Sequence, residues 1–334
     1  MTGQTSMTTP PAEGAAAELP PLRLGTRRSA LAMAQSGMIA DAVGRLTGRQ
    51  VELVEITTYG DVSREALAQI GGTGVFVSAL RDALLAGTID FAVHSLKDLP
   101  TAAPEGLVLA AVPLREDPRD ALVARDGLTL TELLEKGAHT RPARIGTGSP
   151  RRLAQLNAWA RSQGLPVETV AIRGNVDTRI GYVRSGELDG VLLAAAGLNR
   201  LGRLGEATQI LDAELMLPAP GQGALAVECA AGNTELARAL SGLDDAPTRT
   251  AVTAERALLA ALEAGCSAPV GALALPCRGE SDEIELRALV GTVDGATVVQ
   301  MSATGHDAAD ELGRGLAARM LAAGAAGLMG ERAK

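Results

Sequence analysis

Short apolar runs alternate along this chain with longer stretches in which apolar positions recur at helical spacing. Leu22–Gly25 reads as a first strand and Ala30 to about Leu46 as the helix behind it, with Ser29 as N-cap. Val51–Thr57, rich in β-branched residues, predicts a second strand closed by Gly60-Asp61. Gly71-Gly72-Thr73-Gly74 predicts a glycine-rich loop, and Val75–Leu85 a helix after it. Gly87–Val93 and Leu107–Val112 read as further strands. Pro113–Arg119, with two prolines and mixed charge, reads as a linker.

The pattern then starts again. Arg23-Leu24-Gly25-Thr26 returns 121 residues later as Arg144-Ile145-Gly146-Thr147. Each copy leads into a Ser, arginines and a helix. Gly87–Val93 returns 99 residues later as Gly186–Leu192. Two matches in the same order predict duplicated α/β lobes with a ligand cleft between them. Met216–Gln222 reads as a Pro/Gly-rich hinge back to the first lobe, and Gly223–Cys229 as a strand. Thr248–Ala264 predicts a strong helix with Gly265 as its C′ residue. Glu283–Val290 alternates, Thr297–Ala303 can pair with it, and Asp307–Ala323 is an Ala-rich amphipathic helix. The predicted fold is α/β: two doubly wound lobes and a small α+β C-terminal domain. The boundaries are a disordered tail over 1–21, domain 1 over 22–114 and 222–243, domain 2 over 115–221, and domain 3 over 246–334.

One strand end stands out. Phe91-Ala92-Val93-His94-Ser95-Leu96-Lys97-Asp98-Leu99-Pro100 is an apolar run ending in polar residues, and Pro100 stops any continuation. Ligands of open α/β sheets sit at such carboxyl ends. Asp98 is the candidate catalytic carboxylate. Arg27, Arg28, Arg151, Arg152, Arg173 and Arg179 fall at or just after predicted strand ends. Ser29, Thr147 and Ser149 fall at helix starts, where free N–H groups favour anions. Arginine adds bidentate geometry for carboxylate or phosphate. No GxxxxGK[ST] motif accompanies them, which disfavours a nucleoside triphosphate.

Composition narrows the partners. Hydrophobic residues make up 46% of the chain but aromatics only 1%, so the cores must be aliphatic and bases have little to stack on. The net charge of −8 disfavours a polyanion over the whole surface, so no nucleic-acid partner is expected. No apolar run is long enough to span a membrane, and the first 21 residues lack the apolar core of an export signal. Three histidines lack ligand spacing, so no metal is expected. Cys229, Cys266 and Cys277 form no CxxC pair, and a reducing cytoplasm suits them. Cys266 follows Gly265 in a predicted loop: a buried hydrophobe, a reachable thiol or a point of covalent attachment. These features alone leave open an enzyme, a solute-binding module without chemistry, and a transferase acting on a phosphate ester.

The chain resembles the porphobilinogen deaminase (hydroxymethylbilane synthase) family. The resemblance runs through Leu22–Ser29, Gly71–Phe76, His94–Pro100, Arg115–Asp120, Ile145–Arg152, Arg173–Arg179, Ala195–Gly202, Leu217–Gly223, Thr253–Arg256 and Glu263–Pro269, in order. It implies periplasmic-binding-protein-like lobes and a cytoplasmic, monomeric transferase of porphyrin and haem biosynthesis. That enzyme joins four porphobilinogens, with loss of ammonia, into the linear tetrapyrrole hydroxymethylbilane. It implies a dipyrromethane cofactor in thioether linkage to Cys266 and catalysis by Asp98. Ser95, Lys97, Thr147, Ser149, Arg151, Arg152 and Arg179 are then expected to bind the cofactor, and Arg27, Ser29, Arg173 and Arg200 the substrate. The chain departs from many relatives at Thr73 and Ser78, where they carry lysine, and at Gly148 and Pro150, where serine and leucine are common.

Overall fold

The structure, a computed structural model, describes residues 19–57, 74–265, 268–277, 283–305 and 308–329. Of the sequence readings, the tail up to residue 18, Gly60-Asp61, Gly71-Gly72-Thr73 and Cys266 lie outside the described residues.

The chain opens with β1 (Leu22–Thr26), α1 (Ala30–Thr47), β2 (Val51–Glu55), α2 (Gly74–Leu85), β3 (Phe91–Ser95) and β4 (Leu107–Ala111). It crosses through 112–119, without regular structure, to β5 (Asp120–Ala124). There follow α3 (Leu130–Ala138), β6 (Ala143–Gly146), α4 (Pro150–Gln163), β7 (Val167–Val170), α5 (Val176–Arg184), β8 (Gly190–Ala194), α6 (Ala195–Arg200) and β9 (Gln209–Ile210). It returns to form β10 (Leu225–Ala230) and α7 (Thr234–Leu240). The C-terminal unit holds α8 (Ala246–Ala261), β11 (Val270–Pro276), β12 (Ile284–Gly291), β13 (Val298–Gly305) and α9 (Ala309–Ala322).

The first sheet runs β2-β1-β3-β10-β4 and the second β7-β6-β8-β5-β9. In each, three parallel strands meet an antiparallel one. That antiparallel strand, β10 or β5, enters its sheet directly from a crossing between lobes. The duplication is therefore a property of the fold, and it extends to single bonds. Arg23 N donates to Asp90 Oδ2 at 2.7 Å, and Arg144 N donates to Asp189 Oδ2 at 2.7 Å. Gly25 and Gly146 occupy equivalent places: an added Cβ would meet Ile89 Cδ1 at 2.3 Å or Leu188 Cδ1 at 2.5 Å. β3 begins at Phe91 rather than at Gly87, because Gly87 takes a positive φ of 67° in a turn.

The cores are aliphatic, as the composition demands. Phe91 is fully buried, set against Leu22, Leu24, Ile39 and Val43. The third, antiparallel sheet runs β11-β12-β13. Leu286, Ala288 and Val290 pack there with Leu258 of α8 and Leu316 and Met320 of α9. α8 stops at Ala261, and Glu263, not Gly265, takes the left-handed position with φ 52°. Ala264 N then donates to Leu259 O at 3.2 Å, satisfying an end carbonyl.

Candidate functional site

The buried run Phe91–His94 delivers Ser95 to the carboxyl end of β3, and Leu96–Asp98 close into a 3₁₀ turn. Leu96 and Leu99 are buried and anchor the turn, while Lys97 and Asp98 remain partly accessible. Leu96 N donates to Ala224 O at 3.0 Å, so the returning chain fixes the turn's first residue. Asp98 lines a cleft of about 100 Å³ with Arg27, Ser29, Gln35, Ser95 and Val77. Ser29 caps α1 by accepting from Ala32 N, and Gln35 Nε2 donates to Ser95 Oγ at 3.0 Å. Across the cleft, α6 of the second lobe approaches α1: Leu31 Cδ2 lies 3.8 Å from where a Cβ of Gly197 would stand.

The second lobe contributes a buried cationic cluster around Asp120. Arg151 Nη1 donates to Asp120 Oδ2 at 2.6 Å and to Leu217 O at 2.7 Å. Arg152 Nη2 donates to Asp120 Oδ1 at 2.7 Å, and its Nη1 to Leu192 O at 2.9 Å. Gln222 Nε2 adds a third donor to Asp120 at 2.9 Å, and Lys97 Nζ reaches Gln222 Oε1 at 3.3 Å. One glutamine thus connects the turn of the first lobe to the charge cluster of the second.

The electrostatics follow from burial. Desolvation pulls the Lys97 ammonium down to about 8, against the pull of Asp98 and Asp120 and helped by Arg152 and Arg151. Burial would raise the Asp120 carboxyl, but Arg151 and Arg152 hold it far below the carboxylate range. Arg179 is lowered by desolvation and by its neighbour Arg152, and its Nε donates to Gly174 O. Lys97, Arg151, Arg152 and Arg179 are four cations facing two carboxylates, Asp98 and Asp120, a surplus of two positive charges. Four buried side-chain nitrogens have no hydrogen-bond partner among the described residues, and two of them, Arg151 Nε and Arg200 Nε, belong to candidate site residues. The chemistry of such a place suits an anion with several carboxylates.

Thr147 and Ser149 stand at the start of α4; Thr147 Oγ1 accepts from Ser149 N, and the Ser149 hydroxyl makes no cap bond. Arg200 Nη2 donates to Gly223 O at 2.6 Å on the return crossing. Arg173 is exposed after β7. Arg28 leaves the group, pairing at the surface with Glu55 at 2.9 Å. Asp120, Gln222 and Gln35 had no role in the sequence reading. Asp120 carried one usable signal, an acid at the head of the apolar run Asp120–Ala124. Gln222 and Gln35 carried none, since their roles arise from distant chain segments.

The fold and cleft define a two-lobed α/β protein whose cationic cleft is suited to a multiply charged organic anion. A family model described as porphobilinogen deaminase, dipyromethane cofactor binding domain, matches residues 22–238, and one for the porphobilinogen deaminase C-terminal domain matches 249–322. "Porphobilinogen deaminase 1" of Streptomyces avermitilis is 72% identical over 321 residues, covering 93% of this chain and 98% of that protein. The protein of the same name from Streptomyces coelicolor is 70% identical over 320 residues, covering 94% and 98%. "Porphobilinogen deaminase" of Thermobifida fusca is 54% identical over 314 residues, covering 91% and 94%. The chain belongs to the porphobilinogen deaminase family.

Proposed function

We propose that Asp98 and the cationic cluster opposite it carry the condensation of porphobilinogen into hydroxymethylbilane, the reaction of this family in tetrapyrrole biosynthesis. The observation that carries the assignment of residues is the cluster of Arg151, Arg152, Lys97 and Arg179, the first two buried, beside the partly accessible carboxylate of Asp98. Porphobilinogen bears an acetate and a propionate, so a dipyrromethane carries four carboxylates. The cation surplus and the orphaned buried donor Arg151 Nε fit such a group.

Lys97, Arg151, Arg152, Arg179, Ser95, Thr147 and Ser149 would hold the cofactor's carboxylates, and Cys266 would tether it by a thioether. When bound, the dipyrromethane supplies the pyrrole carbon from which the product chain is extended. Arg27, Ser29, Arg173 and Arg200 would take the carboxylates of incoming substrate. Each addition breaks the substrate's C–N bond, releases ammonia and leaves positive charge on the substrate's pyrrole, which is discharged when the new C–C bond forms at that methylene carbon and one proton is released from the pyrrole carbon it joins. Asp98 faces that charge from a fixed turn, accepts from the pyrrole N–H, and lowers the barrier as the charge develops. Arg151 and Arg152 are themselves held by Asp120, which fixes the orientation of both guanidiniums. No helix among the described residues is long and apolar enough to cross a membrane. A cytoplasmic monomer is the state we assign.

The test combines mass and turnover. The purified protein should exceed its sequence mass by one dipyrromethane, and the excess should map to the Cys266 peptide. Asp98→Ala should keep its melting temperature and lose ammonia release by about 100-fold or more. Near-normal release by this variant would remove Asp98 from the chemistry, and an unmodified Cys266 in active protein would remove the tether.

A further inference from the structure

We propose that Arg256, on α8 of the C-terminal unit, is a positioning residue that holds the Asp98 turn in place. Its guanidinium reaches out of one unit into the catalytic segment of another. Nη1 donates to Leu96 O at 3.3 Å and to Leu99 O at 3.0 Å, and Nη2 donates to Pro100 O at 2.7 Å. Those carbonyls flank Lys97 and Asp98 on both sides. Leu96 O also accepts from Leu99 N inside the turn, whereas Leu99 O and Pro100 O leave a turn halted by proline with no following ladder to use them; the planar fork of an arginine matches several carbonyls at once.

The root of this side chain is itself fixed. Glu255, the preceding residue, is fully buried. It accepts from Gly221 N at 2.6 Å and Ala274 N at 2.9 Å, and pairs with both Nη atoms of Arg115 at 2.7 and 3.0 Å. Neighbouring residues of one helix therefore grip the return crossing, the third sheet and the catalytic turn. Leu96, Leu99 and Val252 pack together on the turn's apolar side. Beside them lies a cavity of about 210 Å³, lined in part by Leu96, Thr101, Val252, Arg256 and Ala260. Packing is incomplete there, and hydrogen bonds rather than dense contact fix that side. α8 ends at Ala261, five residues after Arg256 and five before Cys266 in sequence. The same helix that leads to the tether thus sets where Asp98 stands. This inference rests on the role given to Asp98 above.

The experiment uses the cofactor-loaded enzyme with Arg256→Leu and Arg256→Lys. Loading is read by intact mass, so that rates refer to loaded protein. Amide hydrogen exchange is followed in the peptide spanning Ser95–Thr101. For Arg256→Leu the expected result is faster exchange in that peptide, kcat lowered about 10- to 100-fold and KM within about twofold, since a small displacement of a catalytic group costs this much. Arg256→Lys, whose ammonium can meet some of the carbonyls, should recover part of both. An Arg256→Leu enzyme with wild-type kcat overturns the proposal, whether or not exchange changes; it would leave Arg256 as an interdomain strut. Should Arg256→Leu fail to fold, the lysine variant decides: an intermediate kcat supports the role and a wild-type kcat overturns it. The reading beneath this inference fails differently, through near-normal ammonia release by Asp98→Ala. Exchange in the Ser95–Thr101 peptide then still decides whether Arg256 holds the turn.

Discussion

Lys97 and Asp98 share one 3₁₀ turn yet face different environments, which is why different roles are proposed for them. Asp98 looks into the cleft with Arg27 and Ser29. Lys97 reaches the Gln222 carbonyl and the cationic cluster, where burial lowers it to about 8. Its ordinary value is 10.5, so holding the ammonium costs folding stability at every pH below about 8. That cost fades as pH rises from about 8 to 10.5 and the folded side chain gives up its proton. A carboxylate ligand needs the charged form. Cofactor uptake by apoprotein, followed as mass gain, is therefore expected to weaken as pH rises through about 8. Lys97→Met should take up cofactor more slowly and without that inflection. An unchanged inflection in the variant would show that another group causes it.

At the level of elements, the helix pair α8 and α9 shows how the C-terminal unit holds its shape. Gly313 of α9 lies directly on α8: a Cβ there would stand 2.3 Å from Ala254 O and 2.8 Å from Leu258 N. Both are backbone atoms and cannot turn aside. Glycine in a helix usually gives up about 1 kcal/mol to alanine. Here overpacking should reverse the sign, and Gly313→Ala is expected to destabilise by about 1–3 kcal/mol in denaturant titration. Gly315 is exposed two residues on with nothing within 4 Å of an added Cβ. Gly315→Ala should stabilise by up to about 1 kcal/mol. Equal effects of the two substitutions would contradict the close approach. This matters for function because α8 also carries Glu255 and Arg256.

Across the whole molecule, both interlobe crossings meet at Asp120 and Gln222. Asp120 receives Arg151, Arg152 and Gln222, and Gln222 Nε2 also donates to Pro118 O at 2.7 Å. A chain of net charge −8 thus concentrates positive charge at one internal place. The folded Asp120 carboxyl titrates well below its ordinary 3.8, so its stabilisation is complete above that pH and is lost as pH falls beneath it. Asp120→Asn leaves two buried guanidiniums without their anion and should cost about 3–5 kcal/mol near neutral pH. The variant's stability should also fall less steeply below about pH 4. A variant as stable as wild type would mean that water or another acid replaces the carboxylate.

Much of this was legible in the residues alone. The alternation of short apolar runs with helical spacing fixes which segments become strands, because each must bury one face or both. The repeats at Arg23 and Arg144 and at Gly87 and Gly186 show the duplication, since equivalent sheets need equivalent glycines and acids at equivalent bends. The apolar run before Ser95 places Asp98 at a strand's carboxyl end for the same local reason. Other features depend on contacts between segments far apart in the chain. That Arg28 turns to a surface glutamate while Arg151 and Arg152 turn inward is set by Glu55 and Asp120, 27 and more than 30 residues away. The left-handed cap falls on Glu263 rather than Gly265 because α8 ends at Ala261. Gln222, Glu255 and Arg256 look like ordinary polar residues in sequence. Only the return of the chain through both lobes brings them to the carbonyls, amides and carboxylate that give them a role.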